Sequence, residues 1–189
     1  MEIKMNFNEE FLPDKVAIFK NILLYQIYQT PLGDMIGCFF EDRLCLLDFC
    51  DKKSLQIQLQ KLQKTYQANL VQESNLITQQ LKQELDEYFK GNRKFFSIPL
   101  QKHGTDFQHA AWDALEQIPY GCTVSYKQQA LVILKPKAVR AVAHANSKNC
   151  ISILIPCHRV IAANGDLQGY AGGISRKEFL LKLEQKNAF

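Results

Sequence analysis

The chain has 189 residues, 47% of them apolar and 22% charged, a balance that fits a soluble globular protein with one full core or two small ones and excludes a disordered or fibrous chain. No stretch approaches the roughly 20 consecutive apolar residues of a membrane helix. The opening Met-Glu-Ile-Lys-Met-Asn-Phe-Asn-Glu-Glu lacks the basic-then-apolar pattern of a secretion signal, so a cytoplasmic location is expected.

Residues 22–28 form an apolar and aromatic run that closes on Thr30-Pro31-Leu32-Gly33-Asp34, a turn sequence. Runs at 35–40 and 44–49 follow, separated by Glu41-Asp42-Arg43, and the three predict antiparallel strands. Leu55, Leu59, Leu62 and Tyr66 then fall at helical spacing. A second helix is predicted over 75–90, with Leu81, Leu85, Tyr88 and Phe89 on one stripe and Gly91 as its stop. Residues 1–100 are therefore read as a small α+β domain, a β-meander with two covering helices, which acts as a scaffold and holds no chemistry.

Beyond Pro99 the pattern becomes mainly helical, which marks residues 101–189 as a second domain. Thr105-Asp106-Phe107-Gln108 is a capping box, and Phe107, Ala111, Leu115 and Ile118 form the apolar face of the helix it opens. Pro119-Tyr120-Gly121 ends that helix, Ser125 can cap the next from Tyr126, and Pro136 suits the first position of a third over 137–146. Ser175-Arg176-Lys177-Glu178 reads as another capping box, opening a C-terminal helix through Phe179, Leu180, Leu181 and Leu183.

The net charge of +4 is uneven, with −1 over residues 1–100 and +5 over residues 101–189. No Asp or Glu lies between Glu116 and Asp166, a window that holds Lys127, Lys135, Lys137, Arg140, Lys148 and Arg159. Cations without anions suggest a surface that meets phosphates. Within the window, Ala138, Ala141 and Ala145 lie near one face of the predicted 137–146 helix, which permits close approach to another backbone. Two short helices in tandem resemble a helix-turn-helix.

Six cysteines at 38, 45, 50, 122, 150 and 157 make no CxxC pair, so reduced thiols are expected. The four histidines make no metal-ligand spacing with them, and no metal or cofactor is expected. At 157–159 the chain presents Cys157, His158 and Arg159 in a row. A thiol beside two basic groups is a setting that favours the thiolate, the nucleophilic form. Neighbours in an extended strand point to opposite faces, so His158 can serve Cys157 only if the chain turns here or a water bridges them. Gly165, Gly169, Gly172 and Gly173 bracket Tyr170, a loop suited to backbone lying close to something flat.

Taken together, Gly104-Thr105-Asp106-Phe107-Gln108, Ile118-Pro119-Tyr120-Gly121, Val124-Ser125-Tyr126, Lys137-Ala138-Val139-Arg140-Ala141-Val142, Ala145-Asn146, Asn149 and Ile153-Leu154-Ile155-Pro156-Cys157-His158-Arg159-Val160 strongly resemble the O6-alkylguanine-DNA alkyltransferase family. The likeness runs over roughly residues 104–184, with a weaker echo at Thr30-Pro31-Leu32-Gly33.

The resemblance implies a ribonuclease H-like sheet with helices, followed by a mainly α part with a winged-helix-like helix-turn-helix. It implies a monomer that binds duplex DNA through the minor groove and flips an O6-alkylated guanine out of the stack. The alkyl group then moves irreversibly to Cys157, with O4-alkylthymine as a second candidate substrate. By the same resemblance His158 is the base acting through water, Glu184 orients it, and Asn149 steadies the network. Tyr126 donates a proton toward the guanine, and Arg140 fills the vacated stack. Lys137, Ala138 and Ala141 border the groove, and Tyr170, Val160, Ala171 and Gly172 wall the base pocket.

The chain also departs from the family pattern. Val132-Ile133-Leu134-Lys135 replaces a turn that commonly holds glycine, and Ala143-His144 stands where a glycine usually follows the Arg-Ala-Val of the recognition helix. Cys150 replaces a common proline and Ala171 a frequent serine. Two other readings stay open at this point: a lesion-binding module without transfer, against which Cys157 argues, and a Cys-His hydrolase, which would leave Arg140 unexplained.

Overall fold

The computed structural model describes residues 19–167 and 169–188, so the stretch on which the secretion-signal reading rests lies outside the described residues. Three strands form at the apolar runs: β1 (Asn21–Tyr28), β2 (Met35–Phe40) and β3 (Arg43–Phe49), each antiparallel to the next. Glu41 and Asp42 between β2 and β3 take positive φ of 47° and 59°. That is the two-residue hairpin turn whose twist matches the strands. Helix α1 (Leu55–Tyr66) crosses the sheet, and the chain returns as β4 (Ala68–Gln72), parallel to β1. The sheet order is β3-β2-β1-β4.

Strand β4 corrects the meander read from sequence. Its Ala-Asn-Leu-Val-Gln is short and holds only two large apolar residues, so it carries little periodic signal. Helix α2 (Leu76–Phe89) follows, capped by a reciprocal pair in which Asn75 accepts from Thr78 N and Thr78 Oγ1 accepts from Asn75 N.

Both faces of the sheet are covered. Leu23, Tyr25, Ile36 and Cys38 pack on Leu55, Leu59, Leu62 and Tyr66 of α1. On the other face Tyr28, Met35, Phe39 and Phe49 meet Leu81, Leu85 and Tyr88 of α2, and with them Trp112, Leu115 and Leu180. This is why six of the seven β3 residues are buried, where a one-faced strand would alternate.

The rest of the chain is mainly helical: α3 (Asp106–Glu116), α4 (Tyr126–Val132), α5 (Val139–Ser147) and α6 (Ile174–Lys186). A two-residue strand β5 (Val124–Ser125) pairs in parallel with β6 (Val160–Ile161). Thr105 and Ser125 cap α3 and α4 through capping boxes with Gln108 and Gln128.

Three predicted details change. Helix α5 begins at Val139 with Ala138 as its cap, so Pro136 and Lys137 lie in the preceding turn. Helix α6 begins at Ile174 after Gly173 and has no side-chain cap, so Ser175 sits inside its first turn. The alanines of α5 do not share one outward face, because Ala145 packs inward with Val142 while Arg140 and Ala141 are exposed.

Candidate active site

The site is assembled from the segment after α5, the 3-10 turn Cys157–Arg159 and one face of α6. Ile151 bridges to Leu47 of β3, anchoring the segment to the sheet. Ile153 takes a positive φ of 73°, and Ile151, Ile153 and Ile155 all enter the core from this irregular run. The turn at Cys157–Arg159 removes the strand alternation that would have separated Cys157 from His158.

Asn149 organises the nucleophile. Its Nδ2 donates to Cys157 Sγ at 3.2 Å and to the Ile155 carbonyl at 2.8 Å, while its Oδ1 accepts from Ile151 N at 3.0 Å. Among the described residues no hydrogen bond joins Cys157 to His158 directly. Burial pushes the Cys157 thiol up, and the bond from Asn149 only partly opposes it. This corrects the expectation of a resting thiolate: Arg159, one of the two basic neighbours invoked for it, points elsewhere.

Arg159 is 8% exposed and is turned onto Glu184. Its Nε donates to Glu184 Oε2 at 2.8 Å, its Nη2 to Oε1 at 3.0 Å, and its Nη1 to the Ile118 carbonyl at 2.6 Å. It is therefore not one of the phosphate-facing cations of the acid-free window. Lys127, Lys135, Lys137, Arg140 and Lys148 are exposed.

Glu184 is fully buried and also accepts from His158 Nε2 at 2.8 Å, from the Tyr88 hydroxyl at 2.8 Å and from Gly121 N at 3.2 Å. Burial alone would raise its pKa, but the bonds from His158 and Arg159 outweigh that and hold it at about 2. The His158 ring, fully buried, is pushed down by burial more than Glu184 pushes it up. It is a neutral imidazole with Nε2 engaged and Nδ1 without a partner among the described residues. A neutral ring that donates through Nε2 keeps its basic lone pair on Nδ1.

Tyr126 and Tyr170 flank the thiol electrostatically: the pKa of each is raised first by burial and then by Cys157. The Tyr170 ring stands edge-on to His158, centroids 6.5 Å apart. Two glycines are needed here. A Cβ on Gly172 would meet the Tyr170 ring at 2.6 Å, and Gly169, at a φ of 73°, would bring one within 2.8 Å of the Tyr126 hydroxyl. Val160 is buried beside the turn, and Ala171 is exposed on the loop.

Sequence reasoning missed three contributors. Lys177, fully buried in α6, donates to the Val160 carbonyl at 2.6 Å, and burial lowers its pKa to about 8. Its place in an apparent capping box hid it. Tyr88 brings a hydroxyl from α2 into the site, which corrects the reading of residues 1–100 as free of chemistry; in the sequence it is one more aromatic on a core stripe. Gln129 and Asn146 exchange two bonds of 3.0 and 2.8 Å, locking α4 to α5. That lock fixes the outward face with Arg140 and Ala141, while Lys137 is exposed in the turn before it and Ala138 is half-buried. Leu134 closes the α4–α5 turn at a φ of 57°, a conformation that favours glycine.

The arrangement pairs a buried acceptor thiol and a carboxylate-tethered base with a cationic helix face. Residues 23–101 match the family described as 6-O-methylguanine DNA methyltransferase, ribonuclease-like domain, and residues 106–186 match its DNA binding domain. A methylated-DNA--protein-cysteine methyltransferase of Methanosarcina barkeri is 42% identical over 166 residues, 87% of this chain and 99% of that protein. The constitutive enzyme of that name from Bacillus subtilis is 43% identical over 85% of this chain and 94% of its own. The crystal structure of Mycobacterium tuberculosis OGT in complex with DNA aligns with a TM-score of 0.76 and 36% identity, covering 87% of this chain and 94% of that one. With both segments matched and relatives aligned along nearly their whole length, the chain belongs to the 6-O-methylguanine DNA methyltransferase family.

Proposed function

We propose that this protein repairs DNA by direct reversal, moving the alkyl group of an O6-alkylguanine in duplex DNA onto its own Cys157. The observation that carries the reading is the line from Cys157 to Asn149 on one side and from His158 to Glu184 on the other, set beside an exposed Arg140. The fully named relatives at 42% and 43% identity support the same activity.

In the proposed reaction, the outward face of α5 lies in the minor groove, with Ala141 and Ala138 allowing close approach and Lys137 near a phosphate. Arg140 enters the stack as the guanine leaves it, offsetting an unstacking cost of about a few kcal/mol. The base enters between Tyr126 and the Tyr170–Gly172 loop, with Val160 and Ala171 contributing to its wall. Because the resting thiol is neutral, activation must accompany substrate binding. Its proton passes through water to His158 Nδ1, and Glu184 stabilises the resulting imidazolium. The S–C bond forms as the C–O bond breaks, and Tyr126, held protonated by its raised pKa, donates toward the purine. The thioether product has no good leaving group, so each molecule acts once.

We further infer that residues 1–100 and 101–189 are the two structural domains, and that the protein works as a cytoplasmic monomer. Incubation with a duplex containing O6-methylguanine should add one methyl in place of one proton, mapped by mass spectrometry to Cys157 and absent in Cys157→Ala. Arg140→Ala should slow transfer from the duplex while leaving transfer from an alkylated free base unchanged. Intact protein that binds the duplex and gains no methyl overturns the reading in favour of a lesion-binding module.

A further inference from the structure

A cavity of about 420 Å³ lies between α1, α3 and the end of α5. Its size falls within the range of small-molecule sites. Lys61 from α1 and Lys148 from the end of α5 both line it, with Ile57, Gln58, His103 and Trp112, and no Asp or Glu does. Among the described residues neither lysine makes an ion pair. The His103 ring is pushed toward its neutral form first by burial and then by the charges of Lys61 and His109.

A genuinely empty gap is apolar and dry. This one has apolar walls and two cations without counter-charges. We infer that it is a binding site for a small organic anion, a phosphate or carboxylate joined to a flat apolar body. The anionic group would lie between Lys61 and Lys148, and the body against Ile57 and the apolar wall backed by the buried Trp112. Trp112 Nε1 donates to the Ala145 carbonyl at 3.0 Å, so one wall is bonded directly to the helix that presents Arg140. The site is distinct from the Cys157 centre and does not depend on the reaction proposed for it.

Trp112 is the single tryptophan of the chain, so one indole N–H signal reports on this wall. The full-length protein, labelled with nitrogen-15, would be titrated with 1-naphthyl phosphate, with 1-naphthol and with inorganic phosphate. The indole signal should move saturably with 1-naphthyl phosphate, at about tenfold lower concentration than with either fragment. Lys61→Met with Lys148→Met keeps the apolar stems and changes two exposed side chains, so the fold is retained, as amide spectra would verify. That double variant should bind 1-naphthyl phosphate about tenfold more weakly and 1-naphthol unchanged. An indole signal that stays fixed overturns the proposal. So does equal affinity for 1-naphthol and 1-naphthyl phosphate, or a double variant that binds the anion as the parent does.

Discussion

Replacing Glu184 with glutamine keeps the side-chain volume and removes one charge. In the folded protein that carboxylate accepts from Tyr88, Gly121 and His158, and twice from Arg159. After Glu184→Gln, the buried Arg159 guanidinium keeps the Ile118 carbonyl and loses its counter-charge. Breaking a buried ion pair from one side costs about 3–5 kcal/mol. Linkage gives a similar size: a carboxyl moved from 4.5 to about 2 contributes about 3 kcal/mol, at 1.36 kcal/mol per pH unit. The folded pKa is the lower one, so this stability is present above about pH 4.5 and is lost as pH falls toward 2. Urea unfolding at pH 7, with a slope of about 2 kcal/mol per M, should place the variant's midpoint about 1.5–2.5 M lower. The gap should narrow on acidification. Adding Arg159→Met to Glu184→Gln should recover stability, because it removes the orphaned cation. A single variant within about 1 kcal/mol of the parent, or a double variant weaker still, refutes the idea that Glu184 is held for its charge.

Other expectations concern the same neighbourhood and the turn before α5. Lys177 falls from its ordinary 10.5 to about 8, so between those values the unfolded chain binds a proton that the folded one has released. Stability relative to Lys177→Met should therefore rise by about 3 kcal/mol across that window in paired denaturation curves, and a flat difference would count against it. In the DNA-free protein at pH 7, iodoacetamide should label exposed Cys122 before buried Cys157, as read by peptide mass spectrometry. The reverse order would mean that the resting thiol is already activated. Leu134→Gly relieves a left-handed residue on an exposed turn and should stabilise the protein by about 0.5–1 kcal/mol, raising Tm by about 1–4 °C.

The elements that sequence reveals best here are those with strong periodicity or local chemistry. The β1–β3 runs, the stripes of α1 and α2 and the Thr105 and Ser125 caps all depend on residues close together in the chain, and each forms. The Ser175 box fails for the same reason that it looked persuasive: its residues match a local pattern, while tertiary packing buries Lys177 and starts α6 earlier. Cys157 and His158 stand out by adjacency, but the state of the thiol is set by burial, which no local pattern reveals. Arg159 looks like a DNA contact until Glu184, 25 residues away, is folded against it. The Tyr88–Glu184 bond spans 96 residues and leaves no trace in composition or spacing.

That long-range bond has a consequence for how the protein loses activity. The hydroxyl sits on the last full turn of α2, which packs against the sheet, and the carboxylate it holds is bonded to the His158 ring. Loosening α2 by heat or urea withdraws that hydrogen bond from Glu184, and with it a support of the relay proposed for His158. Melting of the frame and failure of the chemistry are thus one cooperative event, and a partly unfolded molecule has no competent centre left to spend its single turnover.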